Sequence, residues 1–163
     1  MAITIDSTVG GLSSNSYVTE AEALTYFEGR LNSDVYDDAT DEVKKAALVN
    51  ATVRLDHERF LGRTTDDTLT QGLRWPRFGL VDRDGRLINS DVIPIEIKHA
   101  QMELALSLLA TDLQSTDTLF KFDKIKVDTI ELTPSRSSNE NKLPPEVRRL
   151  ISHFLGHGQL IRG

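Results

Sequence analysis

The stretch DVIPIEIKHAQMELALSLLATDL, Asp91 to Leu113, decides the fold. Ile97, Ala100, Leu104 and Leu108 recur at intervals of three and four, the period of an α-helix, with Ile93 just ahead of them. Leu106 and Leu109 widen the apolar arc beyond one stripe. A helix with so broad an arc is covered on most sides, so the spacing predicts the central helix of a helical domain. Pro94 suits its first turn, where a missing N–H costs nothing.

Working outward, the same logic predicts three more helices. In SYVTEAEALTYFEGR, Thr19 is a good N-cap and Glu22, three residues on, completes a capping box. Leu24, Phe27 and Leu31 follow at helical spacing, and Gly29 marks the stop. A second helix begins at Thr40 and Asp41 and runs to about residue 59, with acidic residues in its first turn, where the helix dipole favours them. Its apolar stripe is Val43, Ala46, Ala47, Ala51 and Leu55, and the many alanines predict close packing on a neighbouring helix. The last helix lies in LPPEVRRLISHFLGHG, started by Pro144 and Pro145 and stopped by Gly156.

Between the third and fourth helices the period changes. In FKFDKIKVDTIELTPS, Phe120 and Phe122, Ile125 and Val127, and Ile130 and Leu132 alternate with polar residues, which predicts a β-hairpin at about residues 120–133. Thirty residues after the second helix, with Gly62, Gly72, Pro76, Gly79 and Gly85, break every helical pattern and read as a long structured loop. Asp84-Gly85 within it reads as a tight turn. The expected fold is mainly α: a small four-helix bundle, a hairpin inserted between helices 3 and 4, and a long loop after helix 2. Residues 1–16 read as a flexible arm, 17–155 as the helical domain and 156–163 as a loose tail.

The totals narrow the function. The chain has 163 residues, 39% hydrophobic and 27% charged, enough for one domain with its own core. It has no cysteine, which excludes disulfides, thiolate zinc sites and cysteine nucleophiles. A net charge of −6 argues against a protein built to grip phosphates, and it suits a surface that nucleic acid passes without sticking. MAITIDSTVGGLSS lacks the basic and apolar regions of a signal peptide, and no run is long enough to span a membrane, so a soluble protein without membrane attachment is expected.

No set of residues converges on catalysis, so no enzyme, cofactor or metal is expected. His153 and His157 are four apart, but Gly156 interrupts the helix between them and no Glu follows His153. A calcium loop starting at Asp82 needs an oxygen ligand at position 86 and a glutamate at 93, where Arg86 and Ile93 stand. Gly10-Gly11 lacks the lysine of a phosphate loop, and the serines lack a nucleophile elbow. Asp37/Asp38 and Asp66/Asp67 lie in polar stretches, where neither carboxylate is desolvated.

What stands out is LRWPRFGLVDRDGRL, residues 73–87, with the chain's one tryptophan and the arginines Arg74, Arg77, Arg83 and Arg86. Trp75 and Phe78 can stack on bases while the arginines hold phosphates. The same residues are preferred anchors of protein interfaces. Or the aromatic rings plug the core and the arginines pair with Asp82, Asp84 and other carboxylates. Arg74, Trp75, Arg77, Phe78, Arg83 and Arg86 are thus the candidate interface residues.

The order of motifs resembles a known family. NSYVTEAEALTYF, DEVKKAALVNATVRLD, GLRWPRFGLVDRDGRLI, IPIEIKHAQMELAL and KIKVDTIEL, over roughly residues 14 to 155, are similar to the head–tail connector (adaptor) proteins of tailed bacteriophages. Relatives of these are also described as DnaT-like single-stranded-DNA-binding proteins. The resemblance implies a helical bundle with a protruding hairpin, assembled as a ring of about a dozen copies under the portal. It implies a structural virion protein of the neck, present in the host cytoplasm during assembly. Its partners would be the portal protein, a tail or stopper protein, further copies of itself, and genomic DNA passing through the channel without specific binding. The competing expectation is a replication accessory protein that binds single-stranded DNA through residues 73–86.

Overall fold

In a computed structural model, residues 3–66, 70–121 and 143–156 are described, with the side chains of 112–121 left aside. The described chain is mainly helical: α1 (Glu20–Glu28), α2 (Asp34–Asp37), α3 (Asp41–Asp56), α4 (Ile95–Lys121) and α5 (Pro145–Ile151), the last continued by a 3₁₀ turn over Ser152–Phe154. Two short strands, β1 (Arg63–Thr64) and β2 (Arg77–Phe78), pair antiparallel, with Arg63 opposite Phe78 and Thr64 opposite Arg77. Among the described residues no helix is long and apolar enough to cross a membrane.

The helix starts follow from their caps. The Thr19 side chain accepts from the Glu22 N–H, and the Glu22 carboxylate accepts from the Thr19 N–H at 2.7 Å, so two otherwise unpaired donors are satisfied. Thr40 accepts from the Val43 N–H at the start of α3. α4 is the central helix: Ile97, Ala100, Leu104 and Ala105 are fully buried, and both α3 and α5 pack on it.

Among the described residues five α-helices stand where four were expected. Asp34–Asp37 forms α2, whose Tyr36 stacks on Phe27 of α1 at 4.0 Å between ring centroids. Four residues are too few to display a period, which is why this turn is invisible as a pattern. α4 extends to Lys121, so Phe120 lies in a helix rather than a strand. No glycine or proline separates Leu113 from Lys121 to stop the helix. The remainder of the expected hairpin falls outside the described residues, as does the tail from residue 157. α3 ends at Asp56, three residues early, and its buried stripe is Ala47, Leu48, Ala51, Thr52 and Leu55. Val43 therefore lies outside the stripe and is 46% exposed.

Residues 3–16 are hydrogen-bonded within themselves and to the long loop. Asn15 closes the segment on itself: its side-chain oxygen accepts from the Asp6 N–H, its amide donates to the Thr4 carbonyl, and its own N–H donates to the Asp6 carbonyl, each at 2.9 Å. The segment then touches the long loop, where the Gly72 N–H donates to the Gly11 carbonyl at 3.1 Å. Only glycine fits at 72, because a Cβ there would sit 2.4 Å from the Leu12 oxygen.

Candidate functional site

The long loop was the sequence's chief candidate, and the structure accounts for it residue by residue. Trp75 is 1% exposed. Its ring meets Phe60 edge-on at 5.5 Å and Phe154 at 5.1 Å, the geometry that aromatic quadrupoles favour. Those two phenylalanines belong to segments that are themselves stapled together. The Leu61 N–H donates to the Phe154 carbonyl, the Gly156 N–H donates to the Arg59 carbonyl, both at 2.8 Å, and Phe60 bridges Leu155. Trp75 is thus a wedge in the seam between the end of α3 and the chain's last described residues. It follows a tight chain path, with a cis bond between Trp75 and Pro76.

Arg77 is buried as well. Its guanidinium donates to four carbonyls: Leu61 at 2.7 Å, Gly62 at 2.8 Å, Arg74 at 3.1 Å and Phe60 at 3.4 Å. Burial, reinforced by the nearby charge of Arg74, lowers its pKa, yet a guanidinium remains charged at any pH a protein meets. A planar fork with five donors is the side chain that can hold a turn by its carbonyls in this way. Gly62 completes the turn at φ +69, where a Cβ would come within 2.5 Å of the Phe78 oxygen.

The other arginines divide. Arg86 pairs with Asp82 at 2.8 Å and Asp84 at 2.6 Å, across the tight turn expected at Asp84-Gly85. Gly85 has φ +79 there, and Val81 bridges Leu87. Arg83 crosses to the last helix, donating to the Arg149 carbonyl at 3.2 Å and meeting His153 Nδ1 at 3.5 Å. The Arg74 N–H donates to Asp56 at 3.1 Å while its side chain is exposed. Phe78 is 52% exposed, with the Arg63 guanidinium 5.1 Å above its ring. Of the six candidates, then, Trp75 and Arg77 lie inside the fold, and Arg74, Phe78, Arg83 and Arg86 stay at its surface.

Two buried polar networks hold the loop and the start of the chain in place. The Tyr17 hydroxyl donates to Asp56, whose other oxygen takes the Arg74 N–H. Burial, with the Asp56 charge, pushes the Tyr17 pKa far up, so the hydroxyl keeps its proton and stays the donor. Burial also raises the Asp56 pKa, against the pull of the Tyr17 and Arg74 hydrogen bonds. The second network centres on Gln101 of α4, fully buried. Its oxygen accepts from the Tyr17 N–H at 2.9 Å, and its amide donates to Ser16 Oγ at 2.8 Å and to the Leu48 carbonyl at 3.1 Å. Gln101 thus joins α4, α3 and the Ser16-Tyr17-Val18 stretch. It escapes a reading by residue type, because glutamine suggests a surface. The signal lies in its spacing: Ile97, Leu104 and Ala105 stand at i−4, i+3 and i+4.

A third polar cluster joins α1 to α4. The Tyr26 hydroxyl donates to Glu103 at 2.6 Å, and Arg30 grips the same carboxylate with two nitrogens, one at 2.7 Å. Burial alone raises the Glu103 pKa, but the Arg30 and Tyr26 hydrogen bonds and the Arg30 charge outweigh it, and the net shift is downward. Among the described residues no cluster of histidines and carboxylates has the makings of a metal site.

One family model matches the chain, over residues 1–163, and its description is "Putative DnaT-like ssDNA binding protein". No curated protein and no solved structure matches.

Proposed function

The chain belongs to this DnaT-like family, and from the resemblance of its motif order to head–tail connectors we propose that it is a structural virion protein of that kind. It forms a ring below the portal, extends the DNA channel, and offers the tail or a stopper protein a docking surface. The observation that carries this reading is the fate of the Trp–Arg loop: Trp75 and Arg77, the centre of its most specific motif, act as wedge and clamp inside the subunit. Their burial makes the motif part of the subunit's own architecture, which fits a structural role better than a nucleic-acid contact at Trp75. A body with net charge −6 suits a channel wall along which DNA slides. The test is quantitative mass spectrometry of purified virions. A copy number close to that of the portal protein is expected; absence from virions, with the protein abundant in infected cells, defeats the reading.

A second reading follows the family description: binding of single-stranded DNA. Trp75 offers no ring face to a base, but Phe78 is half exposed beneath Arg63, and an aromatic ring beside a guanidinium is a stacking platform. This reading expects affinity for oligonucleotides that falls steeply with salt and is lost in Phe78→Ala. The connector reading expects little affinity for free DNA at physiological salt.

A further inference from the structure

A groove of about 540 Å³ lies between α3 and α4. Aliphatic side chains make up most of its lining, Val43, Ala46, Ala47 and Val53 of α3 with Leu108 and Leu109 of α4, beside the polar Asn50, Arg54 and Thr111. Val43 and Val53 are 46% and 51% exposed, on a helix whose other side is fully packed. Covering such a seam is favoured by the apolar area removed from water.

The chain itself shows what fits it. Between Lys121, the end of α4, and Leu143 run residues 122–142, in which Ile125 and Val127, then Ile130 and Leu132, alternate with Lys124, Lys126, Asp128 and Glu131. Alternation puts the apolar members of each pair on one edge of an extended chain. The place where this segment leaves and returns matters equally. It leaves about 15 Å beyond Thr111, the groove's end on α4, at 1.5 Å per helical residue. After its return, Pro144 and Val147 line a cleft with Leu106, Ser107 and Ala110. At 3.6 residues per turn, that set centres on the side of α4 opposite Leu108, Leu109 and Thr111.

Covering its own groove therefore requires the segment to pass around α4 and back. The 21 residues 122–142, starting and ending on one subunit, can extend at most roughly 35 Å from it, about the diameter of a small domain. That reach suffices to enter a neighbour. A socket on one flank, with the segment's return at Pro144 on the other, offers two different patches, as a heterologous contact that closes into a ring requires.

We infer that the α3–α4 groove is the socket for the alternating segment, residues 122–133, of an adjacent copy of this chain. The inference rests on the connector reading for its ring, but the contact is testable by itself. The chain has no cysteine, so Val53→Cys and Val127→Cys each supply a single thiol. The two variants, differently tagged, are co-expressed with the portal protein of the same phage, oxidised mildly and separated without reductant. A disulfide-linked pair bearing both tags is the expected result, and none when Leu24→Cys, exposed on α1, replaces Val53→Cys. Absence of the pair overturns the inference, as does a Val53→Cys/Val127→Cys double variant that links only within one chain. Portal co-purification is read from the same sample. Portal bound without the cross-link removes the arm-and-socket contact and leaves the connector reading; the cross-link without bound portal supports the contact and counts against the connector.

Discussion

The Trp–Arg loop and the outer flank of α3 exchange the roles that their compositions suggest. The loop carries a tryptophan and four arginines, the residues most often found at binding hot spots. It places the tryptophan and one arginine inside the subunit and pairs another with neighbouring carboxylates. The flank of α3 carries valine and alanine, which look like core, and leaves Val43 and Val53 in solvent beside Leu108 and Leu109. The lesson is that chemical character does not set direction. What matters is whether the fold supplies a partner: Arg77 finds four carbonyls, whereas Val53 finds no covering element among the described residues.

The contrast is broken most severely at Trp75. Trp75→Ala removes the wedge between Phe60 and Phe154 and is expected to cost about 3–5 kcal/mol, read by urea denaturation. A loss within the range of ordinary surface substitutions would mean the ring is not part of the core. Arg77→Met strands the carbonyls of residues 60–62 and is expected to cost about 2–3 kcal/mol. Arg77→Lys should recover little of it, since an ammonium lacks the planar fork. Gln101→Leu leaves the Tyr17 N–H unpaired in the interior, at a cost of about 2 kcal/mol.

Smaller effects sharpen the contrast. The folded-state pKa of Glu103 lies below its unfolded value, so its ion pair with Arg30 stabilises the fold at pH above the ordinary carboxylate range. That contribution disappears as pH falls through the folded-state pKa. Glu103→Gln should therefore be less stable at neutral pH and lose less stability on acidification, as followed by the melting temperature from pH 7 to pH 3. A parallel displacement of the two curves would remove Glu103 from the acid response. The smallest change in stability belongs to Val53→Arg, within about 0.5 kcal/mol because the side chain faces solvent. Its effect is expected in assembly: the folded variant should fail to form rings on portal. Normal rings would show that the α3 flank is not a joint.

Much of this architecture was legible in the sequence. The capping box at Thr19 and Glu22, the cap at Thr40, the buried arc of α4 and the turn at Asp84-Gly85 all depend on local rules, and local rules are written in neighbouring residues. The rest depends on what the fold brings together. Arg77 holds residues 60–62 from more than a dozen positions away, and Gln101 meets Tyr17 from across the chain. Composition recognises such residues as unusual without giving their direction. The position of the stripe on α3 was misread for a similar reason: Val43 and Ala46 keep helical spacing with Leu55, but α4 covers the flank carrying Leu48 and Thr52 instead.

The single tryptophan makes the central claim directly measurable. Fluorescence excited beyond the tyrosine absorption band reports Trp75 alone, and can be followed with iodide and then with a saturating single-stranded oligonucleotide. The account predicts blue-shifted emission, inaccessible to iodide and unchanged by the oligonucleotide, as expected of a ring sealed between Phe60 and Phe154. Red-shifted emission that iodide quenches, and that DNA protects or quenches in turn, would contradict it and make the Trp–Arg loop a nucleic-acid site.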